Sequence, residues 1–236
     1  CCGLAGILTL RRPAGTPCTD GDLDARFAQA AGENLAALLA GAIPPERYLG
    51  GPQAQEAMER ELLCLKSGEA FRKIFFDPVE TERLATLSGK MHAFLAEEER
   101  VLEGHAGRFS AAGLEAVHRG ILLIRDLVWG LDRDILENVG KIVRLAGTDG
   151  VGEVPPEAFA KYREMNFLLN SLDRLEVRGR DSAGIQISFV PANAAAFRDI
   201  LGGIDGAGLE GELRRRMEAG DPVGGAIVAF PAAFSG

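Results

Sequence analysis

The chain begins with Cys1 and Cys2, and a cysteine at an amino terminus supplies a nucleophile and a base in one residue. A free thiol has a pKa of about 8.5, and an α-amine has a pKa of about 7.7 to 8.0. Because these values are close, the amine can take the thiol proton at neutral pH, directly or through a water molecule. The thiolate can then attack a carboxamide, form a thioester and release ammonia. This terminus therefore indicates amide hydrolysis through a cysteine nucleophile.

Two segments of the chain are similar to a known family. The first is Cys2-Gly3-Leu4-Ala5-Gly6, and the second reads Leu-Glu-Val-Arg-Gly-Arg-Asp-Ser-Ala-Gly-Ile over residues 175–185. Together they resemble the class II, N-terminal-nucleophile glutamine amidotransferases, and most of all the amidotransferase domain of glucosamine-6-phosphate synthase. The resemblance covers only residues 1–10 and roughly 165–190. It implies hydrolysis of glutamine to glutamate, with ammonia passed to an acceptor of the aminosugar-phosphate type.

The identity of the nucleophile stays open between two residues. The family's opening motif aligns with Cys2 without a gap, whereas only Cys1 has a free α-amine in the chain as written. Removal of Cys1 would make Cys2 the nucleophile, and removal of an initiator methionine alone would leave that role to Cys1. Both are therefore predicted catalytic residues.

The downstream segment contains a turn that the resemblance places beside the nucleophile. Its glycine permits a tight turn, and the charged pair around it can pin that turn by a salt bridge. The resemblance implies that this loop supports the site or binds substrate, and a purely structural loop is the alternative. The residues in question are Arg178, Gly179, Asp181 and Ser182. The family's later His-Thr-Arg segment and Asn-Gly turn do not occur in this chain, so we expect an incomplete site: a fragment, one chain of a split enzyme, or an inactive domain.

The resemblance also implies a fold, namely an α+β structure with the layered αββα core of the N-terminal-nucleophile hydrolases, incomplete in this chain. Short apolar runs at 3–10, 184–190 and 225–230 predict strands of that core. Between the first two runs, the sequence indicates helix after helix. We therefore predict the first strand of the core in residues 1–15, a large all-α insertion in 16–155, and the rest of the core in 156–236.

Capping residues mark one helix start clearly. In Asp77-Pro78-Val79-Glu80, the aspartate can cap the helix, the proline fits its first position and the glutamate can close a capping box. Further helices are predicted over 157–175, 193–201 and 209–218.

Apolar residues within the helical region recur every three or four positions and form seams that need partners, which predicts an antiparallel helical bundle. Glu98 interrupts the first seam, which runs from Leu84 to Val101, and is otherwise assigned to a solvated acidic face. Residues 132–134 break the second seam, which starts at Leu114. Trp129 lies beside the second seam and is assigned to the core. The seams are Leu84, Leu87, Met91, Phe94 and Val101; Leu114, Val117, Ile121, Ile124, Val128 and Leu131, continued by Ile135, Val139 and Ile142; and Phe159, Tyr162, Met165, Leu169 and Leu172.

Composition excludes several classes of partner. The 236 residues carry a formal net charge of −8, and the one basic run, at 214–216, is flanked by glutamates, so a nucleic acid backbone would be repelled. No apolar run reaches the roughly 18 residues of a membrane span. Four cysteines without a paired motif fit a reducing, cytoplasmic setting. The regular spacing of His92, His105 and His118 does not place them on one helix face, so we predict no metal and no cofactor.

The leading hypothesis is a glutamine amidotransferase domain or fragment that binds glutamine and works with an acceptor or isomerase domain elsewhere in the protein. Assembly into a homo-oligomer is left open. Two alternatives remain: a non-catalytic binding or regulatory module, built on a vestigial core, whose helical insertion engages a partner, and another N-terminal-cysteine amidohydrolase that acts on a different amide.

Overall fold

Throughout the part of the chain that the structure describes, the regular elements are helices. A computed structural model describes residues 22–176 and 193–218. Three short 3-10 segments, Pro45–Gly50, Ala106–Arg108 and Val151–Glu153, and one π-helical segment, Gly130–Leu136, join or extend the α-helices. The α-helices are α1 (Leu23–Ala31), α2 (Leu35–Leu39), α3 (Gly51–Leu65), α4 (Gly68–Phe76), α5 (Pro78–His105), α6 (Ala111–Trp129), α7 (Glu137–Ala146), α8 (Phe159–Glu176), α9 (Ala194–Gly206) and α10 (Glu210–Glu218).

The predicted αββα core of an α+β fold is wrong. Across the ranges 22–176 and 193–218 no strand occurs, so the observed class is all-α. The interior is filled by apolar side chains that recur at helical spacing, and these helices bury their seams on one another rather than on a sheet. Two short similar segments could not define the layers of a fold, because layers depend on the packing of all the residues between them. The predicted strands at 3–10, 184–190 and 225–230 lie outside the described residues.

The described residues divide into two compact units. Residues 22–170 belong to one unit, and residues 171–176 with 193–218 belong to the other. In the second unit, α9 and α10 are close to the predicted helices at 193–201 and 209–218, and neither contains a buried residue among those described. The predicted domain boundaries after residues 15 and 155 stay predictions.

Helix α5 begins where its sequence predicts. The carboxylate of Asp77 accepts hydrogen bonds from the backbone N–H groups of Val79 and Glu80, at 3.0 and 3.3 Å, and Pro78 occupies the first helical position. Glu80 does not close a capping box, since its carboxylate instead pairs with Arg83 through two contacts of 2.7 and 2.8 Å. The aspartate cap alone therefore satisfies the free donors of the first turn.

Helices α5 and α6 pack antiparallel, and two side-chain pairs fix their register. His92 contacts Asp132 at 2.8 Å, and Glu99 contacts Arg125 at 2.7 Å. From His92 to Glu99 the chain moves seven residues forward along α5, while their partners move seven residues back, from Asp132 in the π-helical segment to Arg125 in α6. The predicted seams meet at this junction, with Leu84, Leu87, Met91, Val117, Ile124 and Leu131 all fully or almost fully buried.

The predicted break at residues 132–134 is wrong, because a π-helical segment carries α6 into α7 without interruption. A π turn contains more residues than an α turn and shifts the helix face by the excess. That shift keeps Ile135, Val139 and Ile142 buried, as the seam predicts. Gly130 opens this segment, and a Cβ atom there would lie 2.6 Å from Cδ2 of Leu62 on α3, so the Leu62 side chain packs directly against the helix at this glycine.

Helix α8 and Trp129 depart from their predicted burial. Phe159 is buried and its ring lies 4.8 Å from that of Phe75, as expected for the seam. Leu169, however, is 36% exposed and Asn166 is buried, because Asn166 donates to the Asn138 side-chain oxygen at 2.7 Å. Trp129 is 49% exposed, so its assignment to the core is wrong.

No helix within the described ranges is both long and apolar enough to cross a membrane.

Candidate functional site

The predicted catalytic and supporting residues lie outside the described part of the chain. These are Cys1, Cys2, Arg178, Gly179, Asp181 and Ser182. Their roles as nucleophile and as supporting loop stay predictions, and the polar groups described next lie within residues 22–170.

The most buried polar arrangement surrounds Glu98 on α5. Its carboxylate oxygen Oε2 accepts the backbone N–H of Leu35 at 2.9 Å and the hydroxyl of Tyr48 at 2.8 Å. Leu35 opens α2, so its N–H is one of the free donors of a helix terminus, and Asn34 caps the same helix by accepting from Ala37. Tyr48 and Glu98 are 1% and 3% exposed. This carboxylate therefore connects three segments of the chain from inside the core.

The backbone around Tyr48 and a glycine on α6 allow the Tyr48 hydroxyl to reach Glu98. Leu49 has a left-handed φ of 54°, which is uncommon for a branched side chain, and its N–H donates to the carbonyl of Glu33 at 2.8 Å. Gln55 donates to the carbonyl of Tyr48 at 3.0 Å. Gly120 faces the ring, and a Cβ atom there would lie 2.5 Å from Tyr48 Cε1. The phenol therefore reaches Glu98 through a space that only glycine leaves open.

Burial dominates the electrostatics of this pair. Loss of solvent raises the pKa of Glu98 above its ordinary value, and the two hydrogen bonds from Leu35 and Tyr48 oppose part of that rise. Burial also raises the pKa of Tyr48, and the negative charge of Glu98 raises it further. Tyr48 therefore keeps its proton and donates a hydrogen bond to Glu98 Oε2 at 2.8 Å.

The raised pKa of Glu98 predicts that this residue contributes more to the stability of the folded protein when it is protonated, at acidic pH, than when it is ionised. A carboxyl group that holds its proton more tightly in the folded protein contributes stability below its unfolded pKa and loses that contribution as pH rises toward its folded pKa. The wild type should therefore lose stability relative to a Glu98→Gln variant as pH rises above about 4.5. Urea denaturation of both proteins across mildly acidic to neutral pH measures the difference. A difference that is constant with pH, or that changes in the opposite direction, would contradict the prediction.

A second polar cluster joins α5 to the π-helical segment. Ser88 Oγ donates to Asp132 Oδ1 at 2.5 Å, and His92 Nε2 lies 2.8 Å from Asp132 Oδ2. These residue types occur in nucleophilic triads, but in a triad the imidazole contacts the hydroxyl and removes its proton. Here the carboxylate lies between the other two groups, so His92 is not placed to activate Ser88. The cluster fixes the register of the two segments.

The third feature of this unit is a groove on the surface between α5 and α6. A cavity of about 390 Å³ lies there, with Leu102 and the buried Ile121 at its base and the Glu99–Arg125 ion pair at one end. Glu103, His118 and Leu122 line the rest of it. Its walls are mixed apolar and charged.

No metal site is formed within the described ranges. His92 and His105 are each engaged with other groups, the first with Asp132 and the second with the carbonyl of Val101 at 3.0 Å. No group of three or more metal-binding side chains occurs among the described residues.

Sequence reasoning missed the role of Glu98, although a signal for it is present. An acidic residue that falls on an apolar seam, with apolar residues one turn before and after it, is a candidate for a buried acceptor. What the pattern cannot supply is the identity of its donors, because Leu35 and Tyr48 are 63 and 50 residues away along the chain.

Comparisons of this chain with protein-family models, with curated proteins and with solved structures each found no match.

Proposed function

We propose that this chain is the glutamine-hydrolysing part of an amidotransferase, with Cys1 or Cys2 as nucleophile. The observation that supports the proposal is the occurrence together of Cys-Gly-Leu-Ala-Gly at residues 2–6 and Leu-Glu-Val-Arg-Gly-Arg-Asp-Ser-Ala-Gly-Ile at residues 175–185. The described helices between these segments contain none of the predicted catalytic residues, so the proposed chemistry depends on the two segments alone.

The proposed reaction is a double displacement at the glutamine carboxamide. The α-amine takes the proton of the thiol, the sulfur attacks the carbonyl carbon, and the proton is passed to the departing nitrogen, which leaves as ammonia. Water then attacks the thioester, which releases glutamate and returns the proton to the sulfur. The ammonia would pass to an acceptor bound by another domain, for which an aminosugar phosphate is the class that the resemblance implies.

Replacement of the nucleophile tests this proposal. Of the variants Cys1→Ala and Cys2→Ala, the one that removes the nucleophile should lower glutamine hydrolysis by about a thousandfold or more, because the covalent route is lost. Cys64→Ala is the matched control, since Cys64 lies on α3 and is not a predicted catalytic residue. Glutamate and ammonia release measure turnover in the intact protein, and mass spectrometry after treatment with a diazoketone analogue of glutamine identifies the labelled cysteine.

Two results would overturn the proposal. One is a wild type that neither hydrolyses glutamine nor takes up the label. The other is turnover that both terminal variants retain at the level of Cys64→Ala.

A further inference from the structure

The groove between α5 and α6, together with the surface of α6 just beyond its Arg125 end, has apolar side chains arranged to contact a helix. Leu122 is 55% exposed at the groove, and the half-exposed Trp129 follows it on the same helix. Their separation of seven residues is two helical turns, so both lie on one face of α6, roughly 10 Å apart. Large apolar side chains repeated at this spacing on an exposed helix face are typical of helix–helix contacts.

The charges around the groove favour a basic partner. Glu99 and Arg125 form an ion pair at 2.7 Å, so their charges compensate each other. Glu103 lies one turn further along α5, is exposed, and forms no hydrogen bond or ion pair within the described part of the chain. The end of the groove that Glu103 lines therefore has an uncompensated negative charge, which an incoming lysine or arginine would pair with.

We propose that this groove binds an amphipathic helix of a partner protein. The partner helix has apolar side chains two turns apart, which contact Leu122 and Trp129, and a lysine or arginine that pairs with Glu103. Such a helix would lie along α5 and α6 and pack against both. Its rows of side chains would fit into the groove between these two helices. This binding does not depend on the proposed glutaminase activity.

Synthetic peptides of about 20 residues, long enough to form several helical turns, serve as the probe. The first peptide has an alanine-rich helical sequence with two leucines seven residues apart and a pair of lysines one turn beyond. In one comparison peptide serines replace the leucines, and in a second glutamates replace the lysines. Fluorescence anisotropy of labelled peptide measures binding to the full chain. Trp129 is the only tryptophan, so its emission reports contact at the proposed surface.

The leucine–lysine peptide should bind best and shift the emission of Trp129 to shorter wavelength. Leu122→Glu should weaken that binding about tenfold or more, since it places a charge where an apolar anchor packs. Val79→Glu is the matched control, because Val79 is also exposed but lies in the first turn of α5, and it should leave binding unchanged. Glu103→Lys should reverse the preference, so that the glutamate peptide binds better than the lysine peptide.

Three results would overturn the proposal. The first is the absence of any peptide-dependent change in anisotropy or in Trp129 emission. The second is equal binding of all three peptides, or a loss of binding in Val79→Glu that matches that in Leu122→Glu. The third is a dimer of this chain, detected by sedimentation, that Leu122→Glu dissociates, because a second copy would then occupy the groove.

Discussion

Replacement of Gly120 by alanine is expected to lower the free energy of unfolding by about 2 kcal/mol or more. The added methyl group would lie 2.5 Å from Cε1 and 2.8 Å from Cδ1 of Tyr48, and real Cβ atoms do not approach other atoms so closely. The ring cannot move aside at little cost, because it is buried and its hydroxyl is bound to Glu98. Overpacking of a core typically costs 1–3 kcal/mol, and a displaced ring would also lengthen the hydrogen bond to the carboxylate. Urea denaturation followed by circular dichroism gives the measurement.

The same substitution on the neighbouring helix should have the opposite sign. Gly89 lies inside α5, is exposed, and a Cβ atom there would meet nothing within 4 Å. Gly89→Ala should therefore stabilise the protein by up to about 1 kcal/mol through helix propensity and a less flexible unfolded chain. Equal effects of the two substitutions would show that the space beside Tyr48 is not the cause.

Replacement of Glu98 by leucine is expected to cost about 2–4 kcal/mol. Leucine is similar in size but has no acceptor, so the Leu35 N–H and the Tyr48 hydroxyl would both be buried without a partner. Removal of a buried negative charge would offset part of that loss, because burial disfavours the ionised carboxyl group. Chemical denaturation at neutral pH measures the net effect.

A double-mutant cycle separates the tyrosine from the backbone donor. Tyr48→Phe removes the hydroxyl and leaves the ring, and it should cost about 1 kcal/mol alone. In the background of Glu98→Leu, the same change should cost less or should stabilise, because the hydroxyl has already lost its acceptor. Additive effects of the two substitutions would mean that the hydrogen bond between them contributes no stability.

The helical part of the fold is predictable because its signals are local. The cap at Asp77 and the seams through Leu84, Leu87, Met91, Val117 and Ile124 depend on residues within a few turns of one another, and both predictions are confirmed. The capping box at Glu80 is not formed, since a nearby arginine competes for the same carboxylate. A local pattern predicts which groups are able to interact, but competition from neighbouring side chains determines which interaction forms.

Features that depend on distant residues are the ones that the sequence did not reveal. The acidic pattern of Glu97-Glu98-Glu99 indicates a solvated face, yet Glu98 is buried because two donors reach it from elsewhere in the chain. The charged run at 132–134 indicates a break, yet a π-helical segment accommodates it while Asp132 binds Ser88 and His92. The αββα prediction failed for a related reason, since it extended a whole architecture from two short segments.

The candidate catalytic residues could be found only from the sequence, through the cysteines at residues 1 and 2 and a resemblance at residues 175–185. The groove beside Leu122 is the reverse case. Its residues are ordinary members of two amphipathic helices, and only the pairing of α5 with α6 brings Glu103 and Leu122 to the same cavity.

The carboxylate of Glu98 has a consequence for the order in which the chain folds. Helices α5 and α6 are separated by a connection of a few residues, so their association closes a short loop at little entropic cost. The contact between Glu98 and Leu35 closes a loop of 63 residues that contains α3 and α4. Short closures tend to precede long ones when both are favourable, so we expect the α5–α6 hairpin to form first. The amino-terminal helices would then dock onto this hairpin, and the hydrogen bonds of Glu98 with Leu35 and Tyr48 would form at that later step.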